Sequence, residues 1–270
     1  MSHRDRDFVG SIPEIYDNFL VPLIFESYAQ DLANRIGSLS PRAVLETAAG
    51  SGVVTRALTP ALPAASSYTV TDLNQPMLDH AASKQDEDAR LTWRQADAMN
   101  LPFENSVFDA IVCQFGVMFY PDKDAGYTEA HRVLKPGGTL IFNVWDRIEE
   151  NEFADVVTNA VAEIFSDDPP QFLPRTAHGY YDKDTIRAEL NAAGFQDVRI
   201  ESKDDISSAP SPRHPAVAYC QGTPLRNEIE DRDAELLGKA TDHAAEAISD
   251  QFGAGEVSAR IRGYVIAATR

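Results

Sequence analysis

The chain has 270 residues, 43% of them hydrophobic, enough for a sizeable core in one large α/β domain or in a domain with a modest appendage. A formal charge of −18, from 42 acidic against 24 basic residues, argues against a protein that wraps nucleic acid or sits on anionic lipid, while leaving room for a local basic pocket. Two cysteines, Cys113 and Cys220, imply no disulfide framework, and neither a leader-like apolar segment nor a membrane-length apolar run is present, so a soluble cytoplasmic protein is expected.

Residues 1–10 are charged and expected to be loose. Residues 12–39 alternate polar groups with aromatics, and Pro22 should divide them into a short helix or turn and a second helix over about 23–36. Tyr16, Phe19, Phe25 and Tyr28 suit either a flap over a ligand or a helical layer packed on a sheet; the polar neighbours of Tyr16 favour the flap for that residue. Residues 43–47 read as an apolar strand. Ala48-Ala49-Gly50-Ser51-Gly52 turns tightly into a helix over 53–62, and a second strand over 68–71 ends in Asp72. A strand, a small-residue turn, a helix and a strand ending in a carboxylate form half of a nucleotide-binding unit. The turn lets backbone N–H groups approach a ligand, and Asp72 lies where it can accept the two hydroxyls of a ribose.

A helix over 75–87 opens at Pro76, and a strand over 91–95 delivers Asp97 into a loop. The almost unbroken apolar run 108–115 suits the centre of a parallel sheet covered on both faces, with Gln114 to Tyr120 at its ligand edge. A helix over 124–134 stops at Lys135-Pro136-Gly137-Gly138, and a strand over 139–144 leads to Trp145. An amphipathic helix over 152–165 and the Pro-rich stretch after it occupy the place of a substrate lid, 147–181. A helix over 185–193 and a strand over 198–202 follow. Residues 203–215, rich in Asp, Ser and Pro, read as a loop; 215–252 as helical or mixed; 263–268 as a last strand in the same sheet. The whole reads as one domain over 1–270 with a decorated crossover at 203–262.

The turn departs from the dinucleotide fingerprint G-x-G-x-x-G, because Thr55 stands at the third glycine. Glu46, at the end of the first strand, would repel a pyrophosphate. Carboxylates around such a turn fit a cationic sulfonium nucleoside better. Metal chemistry and a Ser-His-Asp hydrolase lack their spacings: there is no H-E-x-x-H, no C-x-x-C and no G-x-S-x-G, and Asp167-Asp168 before two prolines reads as an exposed turn.

The segments VLETAAGSG, TDLNQPML, ADAMNLPFENSVFDAIVCQFGVMFY and EAHRVLKPGGTLIFNVW, in that order, resemble the successive motifs of class I S-adenosylmethionine-dependent methyltransferases, in the type 11 branch that includes ubiquinone and menaquinone biosynthesis methyltransferases. The resemblance covers residues 40–146 and, more weakly, the last two strands. It implies a Rossmann-like α/β fold: a mostly parallel seven-stranded sheet, helices on both faces and an antiparallel terminal strand. It also implies S-adenosylmethionine as cofactor, S-adenosylhomocysteine as product, no metal, and in-line attack by a nucleophilic O, C or N atom of a small molecule.

Carried over position by position, Glu46 orients the turn and the cofactor amino group; Ala48, Gly50 and Gly52 fill the small positions, Ala48 in place of a frequent glycine. Asp72 holds the ribose hydroxyls, Leu73 and Met77 lie against the adenine, Asp97 accepts its exocyclic amine, Ala98 offers a backbone N–H, and Gln114 lines the methionine end. Asp97 could instead cap its own loop, and Gln114 could be a polar strand end. Since a sulfonium is a good leaving group, alignment and exclusion of water can suffice. If a base is used, His178 in LPRTAHGYYDKD is the candidate, against the alternative of a surface loop histidine. Tyr16, Phe19, Tyr120, Trp145, Tyr180 and Tyr181 are candidate walls for the acceptor. An NAD-dependent oxidoreductase and a non-catalytic cofactor-binding protein are the competing readings. The expected partner is a small-molecule acceptor, with no nucleic acid and no membrane span, in a monomer or homodimer.

Overall fold

The computed structural model describes residues 12–270; the expectation for residues 1–10 lies outside the described residues. Seven strands form one sheet: β1 (Ala43–Glu46), β2 (Ser67–Asp72), β3 (Leu91–Gln95), β4 (Phe108–Gln114), β5 (Leu134–Trp145), β6 (Gln196–Ala209) and β7 (Val257–Thr269), in the order β3-β2-β1-β4-β5-β7-β6. β3, β2, β1, β4 and β5 pair in parallel. β7 is antiparallel to β5, since Arg270 N–H donates to Gly138 O and Asp146 N–H to Arg262 O, so that numbers rise on one strand as they fall on the other. The expected seven-stranded, mostly parallel sheet with an antiparallel last strand is what the chain forms.

The chain falls into two compact units. The sheet unit comprises Glu26–Val144, Tyr181–Ser202 and Tyr264–Arg270. Ahead of β1 runs α2 (Glu26–Ser38), the counterpart of a four-residue α1 (Ile12–Ile15) in the other unit. On one face of the sheet α2, α3 (Val53–Leu58) and α4 (Gln75–Lys84) bury Ala29, Leu32, Ile36, Val54, Leu58 and Leu78 against Val44, Val70, Ala110, Val112 and Ile141. On the other face α5 (Lys123–Val133) sets Tyr127 against Phe142 with ring centroids 5.7 Å apart. Every second residue of a strand shares a face, and this periodicity decides which polar residues sit beside the apolar ones at the strand ends.

The helical unit comprises the described residues up to Phe25, Trp145–Tyr180 and Lys203–Gly263. It holds α6 (Glu152–Ile164), α8 (Arg213–Gln221), α9 (Leu225–Asp233) and α10 (Leu237–Phe252), while α7 (Lys183–Ala192) belongs to the sheet unit. Phe153 of α6 meets Phe252 of α10 edge to face at 5.2 Å. Among the described residues no helix is long and apolar enough to cross a membrane, and no group of three His, Cys, Asp or Glu side chains could hold a metal ion.

Three expectations are corrected. Pro22 does not divide the N-terminal segment: Tyr16–Phe25 is a π-helix with Pro22 inside it, a wider turn that tolerates a ring lacking an N–H, and α2 starts only at Glu26. Lys135-Pro136-Gly137-Gly138 does not precede the strand but lies within β5, where Gly137 takes φ +78° and the pairing with β4 shifts register. Residues 203–209 are not loop: they continue β6 at the sheet edge, where water solvates their charges and the hydroxyls of Ser207 and Ser208 bond to Leu23 O and Ser258.

Candidate functional site

The parallel register fixes a row of residues at the C-terminal ends of the central strands. Val70, Glu46 and Val112 are neighbours across β2, β1 and β4, and Val112 pairs with Ile141 of β5. Two residues farther along, on the same face, Asp72, the turn at Ala48, Gln114 and Asn143 stand at one level, and Gln114 is directly paired with Asn143. Three interstrand steps of about 4.8 Å separate β2 from β5, so this row spans roughly 14 Å.

The turn between β1 and α3 depends on left-handed backbone, with φ +53° at Ala48, +58° at Gly50 and +80° at Gly52. At Gly52 a Cβ would meet Ala81 Cβ at 2.9 Å, so the third small position is held by packing as well as by conformation. Ala48 bears a strain of about 1–2 kcal/mol that glycine would avoid. Asp72 fastens the turn to β2: one carboxylate oxygen accepts the Gly50 N–H at 2.8 Å and the other the Asn74 N–H at 2.7 Å. Burial raises its pKa above the ordinary value, and the N–H groups of Asn74 and Gly50 oppose that shift. The Asn74 side chain and the Leu73 N–H act in the same direction as those two groups.

Glu46 is 1% exposed. Its Oε2 accepts from Thr55 Oγ1 at 2.6 Å and from the Tyr68 hydroxyl. Burial pushes its carboxyl up to about 7, against the opposing pull of these two donors. Thr55, the residue that breaks the dinucleotide fingerprint, thus has a task of its own. Ser51 Oγ, also 1% exposed, has no hydrogen-bond partner among the described residues. A left-handed turn, two buried carboxylates beside it and an orphaned hydroxyl within it fit a cationic nucleoside that brings its own donors.

Leu73 is 38% exposed at the end of β2, an apolar side chain open to a flat ligand, and Met77 is buried with its methyl group 3.8 Å from where a Gly50 Cβ would be. Asp97 accepts the Met99 N–H at 2.9 Å through Oδ1, so it caps its own loop and retains its other oxygen for a ligand; Ala98 beside it is half-buried. Tyr120 turns its phenol toward Thr47 Oγ1 at 3.3 Å and Cys113 Sγ at 3.6 Å. Thr47 and Cys113 alternate with Glu46 and Gln114, so this phenol belongs to the face opposite the row.

In the helical unit the aromatic candidates form a ladder. Tyr16 stacks on Phe25 at 5.2 Å, Phe25 lies 5.9 Å from Trp145, and Trp145 lies 6.1 Å from the His178 ring; Phe19 packs instead on His214 at 4.8 Å. Tyr180 is half-buried in the same unit, whereas Tyr181 is exposed in the sheet unit. His178 is buried, not a surface loop residue, and burial pushes its pKa down to about 4 although the Asp146 carbonyl and the Asp146 and Glu149 carboxylates act the other way. Its Nδ1 is 2.9 Å from Asp146 O. A carbonyl oxygen only accepts, so Nδ1 carries the proton and Nε2 presents a lone pair, the tautomer of a general base.

Sequence reasoning passed over Tyr68 and Asn143, and saw Thr55 only as the residue that breaks the fingerprint. Asn143 is fully buried; its Oδ1 accepts the Phe115 N–H at 2.9 Å and holds Phe115 at φ +48°, while Nδ2 has no partner among the described residues. The available signal was an amide inside the apolar run Leu140–Trp145.

The family model described as the ubiE/COQ5 methyltransferase family matches residues 11–205. The chain is 29% identical over 210 residues to the ubiquinone/menaquinone biosynthesis C-methyltransferase UbiE of Geobacter sp. (strain M21), covering 73% of this chain and 89% of that protein. It is 28% identical over 183 residues to the demethylmenaquinone methyltransferase of Staphylococcus haemolyticus, covering 64% and 74% of the two. Its fold is similar to the crystal structure of the YcgJ protein from Bacillus subtilis, with a TM-score of 0.56 at 18% identity over 89% of this chain and 98% of that one.

Proposed function

Because the chain belongs to the ubiE/COQ5 methyltransferase family and transfers a methyl group from S-adenosylmethionine to a small molecule, we propose that the turn and the row Asp72, Gln114 hold that cofactor, and that the methylated atom is a carbon of an electron-rich ring. Carbon takes precedence over oxygen or nitrogen because the Geobacter relative is named a C-methyltransferase. The observation that carries the cofactor assignment is the pair of buried carboxylates, Glu46 and Asp72, flanking a left-handed turn with an orphaned Ser51 hydroxyl.

When bound, S-adenosylmethionine supplies an electrophilic methyl group on a sulfonium. Asp72 accepts the ribose hydroxyls, Glu46 faces the cationic end, Leu73 and Met77 cover the adenine, Asp97 and Ala98 meet its polar edge, and Gln114 orients the methionine end. Residues 40–146 serve as the cofactor-binding core, 147–181 as the substrate lid and the N-terminal segment as a flap, with Tyr16, Phe19, Trp145 and Tyr180 as apolar walls. His178 Nε2 takes the proton that the acceptor must lose. No metal, nucleic acid or membrane takes part, and the enzyme works in the cytoplasm as a monomer or homodimer.

Calorimetric titration with S-adenosylmethionine, S-adenosylhomocysteine and NADH tests the assignment. The first two are expected to bind wild type and to lose affinity in Asp72→Ala, with no heat from NADH; binding of NADH alone sinks it. Radiolabelled methyl transfer to matched phenols, thiols and amines, with NMR of the product to place the methyl group, then tests the acceptor; methylation only at a phenol oxygen, a thiol or an amine would refute carbon.

A further inference from the structure

The backbone that leads to His178 is tied down from a helix far from it in sequence. Residues 169–171 belong to no helix or strand, and a five-residue π turn, Leu173–Ala177, follows. Glu228 of α9 spans the junction: Oε2 accepts the Gln171 N–H at 2.6 Å and the Phe172 N–H at 3.1 Å, and Oε1 accepts from Arg175 Nη2 at 2.7 Å. One helical turn later Arg232 donates through Nε to Asp168 O at 2.6 Å and pairs with the Asp168 carboxylate at 3.1 Å. These two side chains of α9 therefore grip both sides of the start of the turn.

What the turn determines is the histidine. The His178 N–H donates to Leu173 O at 2.8 Å, the bond that completes the turn. Gly179 leaves so close to it that a Cβ there would lie 2.1 Å from Arg175 O, so the exit path has little freedom. The ring is then fixed by Nδ1 on Asp146 O. Carboxylate bonds to backbone N–H and to guanidinium are the strong class of hydrogen bond, and three of them meet on one group.

We propose that Glu228 is the positioning residue for His178: by fixing the start of the Leu173–Ala177 turn it holds the imidazole against the Asp146 carbonyl with Nε2 as the acceptor nitrogen. Glu228 touches no reacting atom and acts only through the turn. Its value to methyl transfer rests on His178 as the base, but the positioning itself is measurable without an acceptor.

The test is NMR titration of the histidine ring signals in wild type, Glu228→Ala, Glu228→Gln and, as a control on the same helix, Glu230→Ala, which breaks the Arg226 pair. His178 is identified by the signal lost in His178→Gln. Wild-type His178 is expected to stay neutral down to about pH 4. In Glu228→Ala its midpoint should rise by at least about one pH unit toward the ordinary 6.5. Glu228→Gln keeps an oxygen for the two N–H groups and should recover about half of that rise; Glu230→Ala should leave the midpoint in place. An unchanged midpoint in Glu228→Ala, or an equal shift in the control, overturns the proposal, as does a wild-type ring that titrates near 6.5. If Glu228→Ala fails to fold, the sign of the shift in Glu228→Gln decides. Undiminished methyl transfer by His178→Gln would remove the base from the proposed function and leave the positioning result standing.

Discussion

Binding of S-adenosylmethionine should expel a proton from Glu46, and the amount should depend on pH in a way the structure sets. With its carboxyl at about 7, Glu46 is about nine-tenths protonated at pH 6, half at pH 7 and about one-tenth at pH 8. A cation nearby favours the carboxylate. Full ionisation in the complex would therefore release about 0.9, 0.5 and 0.1 proton at those three values. Calorimetry in buffers of different ionisation enthalpy reads this directly, as the slope of observed heat against buffer enthalpy. Glu46→Gln should show no release at any pH. A release that does not vary with pH, or that survives in Glu46→Gln, refutes the reasoning. The folded pKa is raised above the unfolded 4.5, so the contribution of this group is fully present below about pH 4.5 and is lost as pH rises through 7, about 3 kcal/mol in all. Wild type should thus lose stability relative to Glu46→Gln between about pH 5 and pH 8.

Asp72→Ala removes two backbone bonds to a charged group, so urea unfolding should register a loss of about 3–5 kcal/mol in addition to the loss of cofactor affinity; Asp72→Asn should recover part of the stability. His178→Gln should lower single-turnover methyl transfer by about 10² to 10⁴ while the cofactor binds as before, and an unchanged rate would mean that alignment alone suffices. Gly116→Ala would set a Cβ 2.5 Å from Ala48 Cβ and 2.8 Å from Cys113 Sγ. Thermal unfolding should show a cost of about 1–3 kcal/mol, and the displaced turn should bind S-adenosylmethionine more weakly.

The sheet unit was legible because local signals agree with the tertiary fold there. The strand expected over residues 91–95 is β3 as observed, and α3 begins at Val53 as expected, since a left-handed glycine can only precede the helix. Its end was overestimated because Thr59–Ala61 tightens into a 3-10 turn before Leu62. Where the chain depends on distant partners the reading failed. β6 carries alternating charge and serine that look like a loop until the edge of a sheet gives them water on one side. The burial of His178 was likewise not legible locally: the backbone that leads to it is bonded to Glu228, fifty residues away in the sequence. Asp72, Gln114 and Asn143 share a level only because four strands are in register, and no single window of sequence contains that fact.

The contact between Ala48 and Gly116 carries a lesson about how such a sequence can drift. A methyl group on one side of this contact leaves no room for a methyl group on the other. A lineage with glycine at 48 could accept alanine at 116, and the present chain could reach that arrangement by losing the first methyl before gaining the second. The opposite order passes through an intermediate in which both are present. Ala48→Gly before Gly116→Ala should therefore lower the cost of the second change, leaving only the 2.8 Å approach to Cys113 Sγ, and the two positions are expected to change in a preferred order among relatives that keep this turn.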